Sequence, residues 1–89
     1  MEEKTKNVRK DANDPNRKAE DIFRRNLKEL RKEAGWTQKE TAEKLQIAPS
    51  TYANWEQGRT QPGISDIFNL IRIFGIDADE LFAADEKKT

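Results

Sequence analysis

Apolar residues crowd the middle of the chain and recur there at helical intervals. Ile22, Phe23, Leu27, Leu30 and Ala34 fall three to four positions apart, with few exceptions, which is the stripe of one helix face. Arg24, Arg25, Lys28 and Lys32 fall on the opposite face. Gly35 stops this first helix, because glycine accepts the left-handed backbone that ends many helices. Thr37, with Glu40 three residues on, forms a capping box for a short second helix whose buried side carries Ala42 and Leu45. Pro49 suits the first turn of a third helix, where its missing N–H is no loss. Tyr52 and Trp55 are spaced to face inward from that helix, and Gly58 closes it. After a Pro62-Gly63 turn, Ile64, Ile67, Phe68, Ile71 and Phe74 mark a strongly apolar fourth helix that Gly75 ends. Asp77 with Glu80 repeats the box ahead of a last short helix through Leu81 and Phe82. The pattern predicts an all-α chain, a compact five-helix bundle with helices over about 17–34, 38–45, 49–57, 64–74 and 78–83.

The ends read differently. Residues 1–19 offer only Met1, Val8, Ala12 and Ala19 as apolar members, against ten charged side chains. Such a stretch buries too little surface to offset its ordering entropy. The expectation is a disordered charged arm over 1–14, a folded domain over 15–85 and a frayed tail over 86–89.

Composition narrows the chemistry. At 89 residues the chain holds one small domain. Seventeen basic and seventeen acidic residues cancel, which excludes a uniformly basic coat and an acidic solvating tail. Cysteine and histidine are both absent, removing disulfides, thiolate nucleophiles and the commonest general base and metal ligand. No phosphate-binding glycine loop or paired-acid constellation stands in their place. An enzyme is not expected, nor a metal, nor any cofactor. No apolar run approaches a membrane span, and the charged start lacks the apolar segment of a secretory signal, so a cytoplasmic chain with no membrane partner is expected.

The close spacing of the second and third helices carries the functional reading. About three residues separate Leu45 from Pro49, the connection of a helix-turn-helix, which holds its second helix across the first and lets it project. The run Leu27-Lys28-Glu29-Leu30-Arg31, then Trp36-Thr37-Gln38, Ala42, Leu45, Tyr52, Trp55-Glu56, Gly58 and Pro62 resembles the phage repressor and Cro-like (XRE-type) helix-turn-helix family. The resemblance covers roughly residues 20 to 83. It implies a lambda-repressor-like DNA-binding domain that docks its third helix in the major groove of double-stranded DNA, as a homodimer on a pseudo-palindromic operator. It also implies a bacterial or phage-encoded regulator, commonly a repressor. Carried over position by position, Ala48, Pro49, Ser50 and Asn54 match positions facing base edges. Gln38 matches a glutamine that touches phosphate and braces the recognition helix. Gln57, Arg59 and Gln61 fall where the family meets the backbone, and Lys39 is a further expected phosphate contact. Arg31 and Glu56 match a frequent internal ion pair. A dimer seam is expected at Ile76, Leu81 and Phe82, since the family commonly pairs through its C-terminal helix.

The chemistry of these side chains fits those roles. A helix start presents free N–H groups and partial positive charge, a natural seat for phosphate near Gln38. Asn54 carries a donor and an acceptor in one plane and can pair with adenine N6 and N7. Ser50 can donate or accept, and Pro49 offers only apolar contact, as with a thymine methyl. Arg59 beside Gly58 supplies a point charge for phosphate. Three positions depart from the family pattern: Ala48 where a Ser or Thr cap is usual, Gln46 where the turn usually has glycine, and Thr41 in place of leucine. Residues 20–85 carry nine basic and twelve acidic side chains. That balance and the uncapped third helix keep a second reading open: a protein-interaction module of the same fold, such as an antitoxin or anti-repressor, with a protein partner.

Overall fold

The computed structural model describes residues 15–83. Five helices follow in order: α1 (Pro15–Ala34), α2 (Gln38–Leu45), α3 (Pro49–Gln57), α4 (Ile64–Phe74) and α5 (Ala78–Phe82). There is no strand among the described residues. α1 starts two residues ahead of the expected position, with proline in the first turn, where it fits. α5 stops at Phe82, and Ala83 is already extended. The arm expected over 1–14 and the tail over 86–89 lie outside the described residues.

Local chemistry sets the helix ends. Thr37 Oγ1 accepts from the Glu40 N–H at 3.0 Å, and Glu40 Oε1 accepts from the Thr37 N–H at 2.8 Å, closing the box at the start of α2. The Gly63 N–H donates to Asp66 at 2.9 Å and the Asp77 N–H to Glu80 at 3.2 Å, so α4 and α5 also begin on a reaching carboxylate. α2 ends with Gln46 in the left-handed region, at φ 61°. That conformation turns the chain between α2 and α3 within three residues, and the Ile47 N–H bonds back to Ala42 O.

The core draws on every helix: Phe23 and Leu27 from α1, Ala42 and Leu45 from α2, Tyr52 and Trp55 from α3, Leu70 from α4 and Leu81 from α5. Trp36 covers one edge, stacked on Phe74 at 5.3 Å with the Lys44 ammonium 4.5 Å from its ring. Two details depart from the periodic reading. On α4 the fully buried residue is Leu70, while Ile64 and Phe68 of the expected stripe are 79% and 68% exposed. On α1 a polar residue, Asn26, is buried inside the stripe. Its Nδ2 donates to Leu81 O at 3.0 Å and Ala83 O at 2.7 Å, holding the end of α5 against α1. Phe23 and Phe82 stack beside this clamp with ring centroids 5.7 Å apart.

Leu81 cannot serve in a dimer seam. It has no exposed surface, because α5 turns it into the core. Ile76 is half-buried against the same core. Phe82 alone of the three expected seam residues is well exposed, at 50%.

Candidate nucleic-acid interface

α3 has two chemically distinct sides. Tyr52, Trp55 and Glu56 point into the protein and are buried. Ala48, Pro49, Ser50 and Gln57 are exposed, and Asn54 is half-exposed. The split follows from helical spacing, with 52, 55 and 56 on one face and 50, 54 and 57 on the other. Ala48 provides no side-chain cap, so Pro49 at the first position is the main local support for the start of the helix. The C-terminal end is better secured. Gly58 lies at φ 81°, its N–H bonds Trp55 O, and the Arg59 N–H bonds Asn54 O at 2.9 Å. Arg59 and Gln61 follow on an exposed loop.

A buried polar joint fixes α3 relative to α1 and α2. Arg31 Nε donates to Glu56 Oε2 at 2.7 Å and Nη2 to Oε1 at 3.2 Å. The pair is shielded, with side chains 12% and 3% exposed. Arg31 Nη1 donates to Trp36 O, and Gln38 Nε2 donates to Glu56 Oε1 at 2.9 Å. Burial pushes the Glu56 carboxyl up, but the bonds from Arg31 and Gln38 and the Arg31 charge outweigh it and hold the group below its usual range. The Glu56 carboxylate in turn keeps the Arg31 guanidinium more firmly protonated. The Tyr52 hydroxyl lies buried alongside; desolvation, with Glu56 nearby, pushes it far above the ordinary tyrosine range.

Gln38 and Lys39 occupy the start of α2, and the Gln38 side chain reaches Glu56 on α3. The capping box uses the Thr37 and Glu40 N–H groups, leaving those of Gln38 and Lys39 as the orphan donors of this helix start. Lys39 is exposed and Gln38 half-buried. Residue spacing did not reveal that Gln38 is a partner of Glu56. Nor did it reveal Arg24, whose side chain lies over Gly58 at the end of α3. Among the described residues no group of three or more His, Cys, Asp or Glu is placed to hold a metal, and no helix is long and apolar enough to cross a membrane.

The family model described as helix-turn-helix matches residues 27–81. The chain belongs to the XRE-type helix-turn-helix family. Within this family it is similar to the HTH-type transcriptional regulator ImmR of Bacillus subtilis, 38% identical over 60 residues, which is 67% of this chain and 47% of that protein. It is 39% identical over 62 residues to the regulator AnsR of the same organism, covering 70% of this chain and 53% of AnsR. The chain thus spans about half the length of these curated relatives. Among solved structures it resembles the SOS-response transcriptional repressor LexA from Eubacterium rectale, with TM-score 0.71 and 28% identity over 81% of this chain and 76% of that one. A hypothetical transcription factor from Neisseria shares the fold, with TM-score 0.72 and 20% identity over 79% of this chain and 80% of that one.

Proposed function

We propose that this helix-turn-helix chain is a sequence-specific, double-stranded DNA-binding transcriptional regulator, acting as a repressor in the cytoplasm of a bacterium or as a phage product. The observation that carries the reading is the two-sided α3. Its inner face is locked by Tyr52, Trp55 and Glu56, which leaves Ala48, Pro49, Ser50 and Asn54 on a rigid outer face of a size that enters a major groove. Asn54 reads a base edge, Ser50 assists, and Ala48 and Pro49 supply apolar contact. Gln38, Lys39, Gln57, Arg59 and Gln61 hold the backbone around that helix. The repressor role draws support from the LexA relative, which is itself a transcriptional repressor.

The chain acts as a homodimer, with half-sites about 34 Å apart on an inverted repeat. Its seam centres on Ile64 and Phe68, one turn apart on α4 and both largely exposed. The same exposed residues are what favours the second reading, a module whose main partner is another protein.

Selection from a random duplex library tests the proposal. An enriched inverted repeat is expected, and Asn54→Ala should relax the preference at one position per half-site while leaving binding to unrelated duplexes nearly unchanged. Absence of any enriched sequence would overturn the operator-reading role and turn attention to a protein partner.

A further inference from the structure

The matched helix-turn-helix begins at residue 27, whereas α1 begins at Pro15, so residues 15–26 lie ahead of the matched region. Arg24 belongs to that stretch. Its stem crosses the end of α3 so closely that a Cβ on Gly58 would come within 3.1 Å of Arg24 Cδ and 3.3 Å of Nε. The positive φ of Gly58 favours glycine there, and a side chain at this position would also press on Arg24. Glu20, Asp21, Arg24, Gln57 and Gly58 together line a shallow cleft of about 160 Å³.

Among the described residues the guanidinium is held from one side. Nε and Nη2 both donate to Asp21 Oδ1, at 3.1 and 2.9 Å. The two side chains are 41% and 45% exposed, so water reaches the pair and weakens it. Nη1 has no partner among the described residues. On one flank lies Gln57 and just beyond Gly58 lies Arg59, both proposed to hold the DNA backbone.

We infer that Arg24 is a further DNA-phosphate contact, delivered from α1 to the end of the recognition helix, and that Asp21 is its intramolecular competitor. The inference rests on the reading that α3 enters the major groove. A phosphate at the end of α3 offers the guanidinium two oxygens and a full charge, whereas Asp21 engages it through a single oxygen. In the free protein Asp21 keeps the long side chain extended over Gly58; on DNA the phosphate displaces the carboxylate.

The test is a salt titration of the full chain on a random-sequence duplex pool, followed by fluorescence anisotropy, for the wild type, Arg24→Gln, Arg24→Lys, Asp21→Asn and the Asp21→Asn/Arg24→Gln pair. Arg24→Gln should flatten the slope of log affinity against log salt by about 0.9, one phosphate contact, and Arg24→Lys should keep the slope. Asp21→Asn should tighten binding about two- to fivefold, and this gain should vanish when Arg24 is glutamine. Circular dichroism and thermal unfolding of each variant report on folding, and Arg24→Lys keeps the comparison meaningful if Arg24→Gln is damaged. An unchanged slope in folded Arg24→Gln overturns the contact. A gain from Asp21→Asn that persists without Arg24 is a net-charge effect and overturns the competition. A wild type that binds no duplex overturns the groove reading itself, and this inference with it.

Discussion

Arg31 and Glu56, 25 positions apart in sequence, meet through two hydrogen bonds of 2.7 and 3.2 Å, and Gln38 adds a third to the same carboxylate. Each residue comes from a different helix, so one carboxylate sets the mutual orientation of α1, α2 and α3. Shape-based packing tolerates small rotations, whereas a paired and shielded carboxylate does not, since a broken bond there leaves a buried charge without a partner.

Glu56→Gln should therefore cost about 3 kcal/mol at neutral pH by leaving the Arg31 guanidinium uncompensated. The pH dependence has a definite sign. The folded Glu56 carboxyl titrates below its unfolded value, so its contribution is whole above the unfolded value of about 4.3 and is lost as pH falls through the folded one. Urea unfolding across the acid range should show a shallower loss of stability in the variant. Parallel acid limbs in the two proteins would remove Glu56 from the acid response.

Gln46 holds a left-handed conformation, at φ 61° and ψ 42°, the single non-glycine case among the described residues. Gln46→Gly should stabilise the chain by about 1 kcal/mol, because the Cβ clash in that region disappears. Thermal unfolding reads this directly. A drop in Tm would mean that the glutamine side chain contributes more than the clash removes.

Ala48 leaves the start of α3 without a side-chain acceptor. Ala48→Ser should add about 0.5–1 kcal/mol through a bond to an N–H of the first turn. Hydrogen exchange at Thr51 and Tyr52 should slow. A serine there also changes the proposed groove-facing surface, so duplex selection on this variant should shift in sequence preference even as stability rises.

Phe68→Lys should leave the fold within about 0.5 kcal/mol of wild type, because Phe68 is largely solvent-exposed. Sedimentation should nonetheless show loss of self-association, with half-site cooperativity on DNA lost as well. Leu81→Ala gives the opposite result, a loss of about 2–5 kcal/mol from an emptied core position. A Phe68→Lys protein that still dimerises would move the seam elsewhere.

The helices were legible because their ends are written locally. Gly35, the Thr37 and Glu40 box, Pro49 and Gly58 each act within a few residues, and each stands at a helix end in the structure. What the sequence conceals is set by contacts between helices. The α4 stripe has a readable width, but which edge of it meets the core depends on how α4 crosses its neighbours, and Leu70 went in while Ile64 and Phe68 stayed out. Leu81 on α5 is likewise buried by the packing of its helix on the core, which its local sequence does not encode. Asn26 interrupts an apolar stripe and gave no signal, since its acceptors lie 55 and 57 residues away. Arg24 shares a helix face with Arg25, Lys28 and Lys32, and only the crossing of α1 and α3 sets it over Gly58.

α5 has five residues, too few to persist on its own hydrogen bonds. Asn26 grips the backbone on both sides of its end, at Leu81 O and Ala83 O. A mechanical pull applied to the chain beyond Ala83 is consequently taken up by a side chain in the middle of α1 before it reaches α5. The amide–carbonyl clamp is therefore expected to share the load with the buried Leu81, and peeling of the short helix, which uncovers Phe23, to need both to give way.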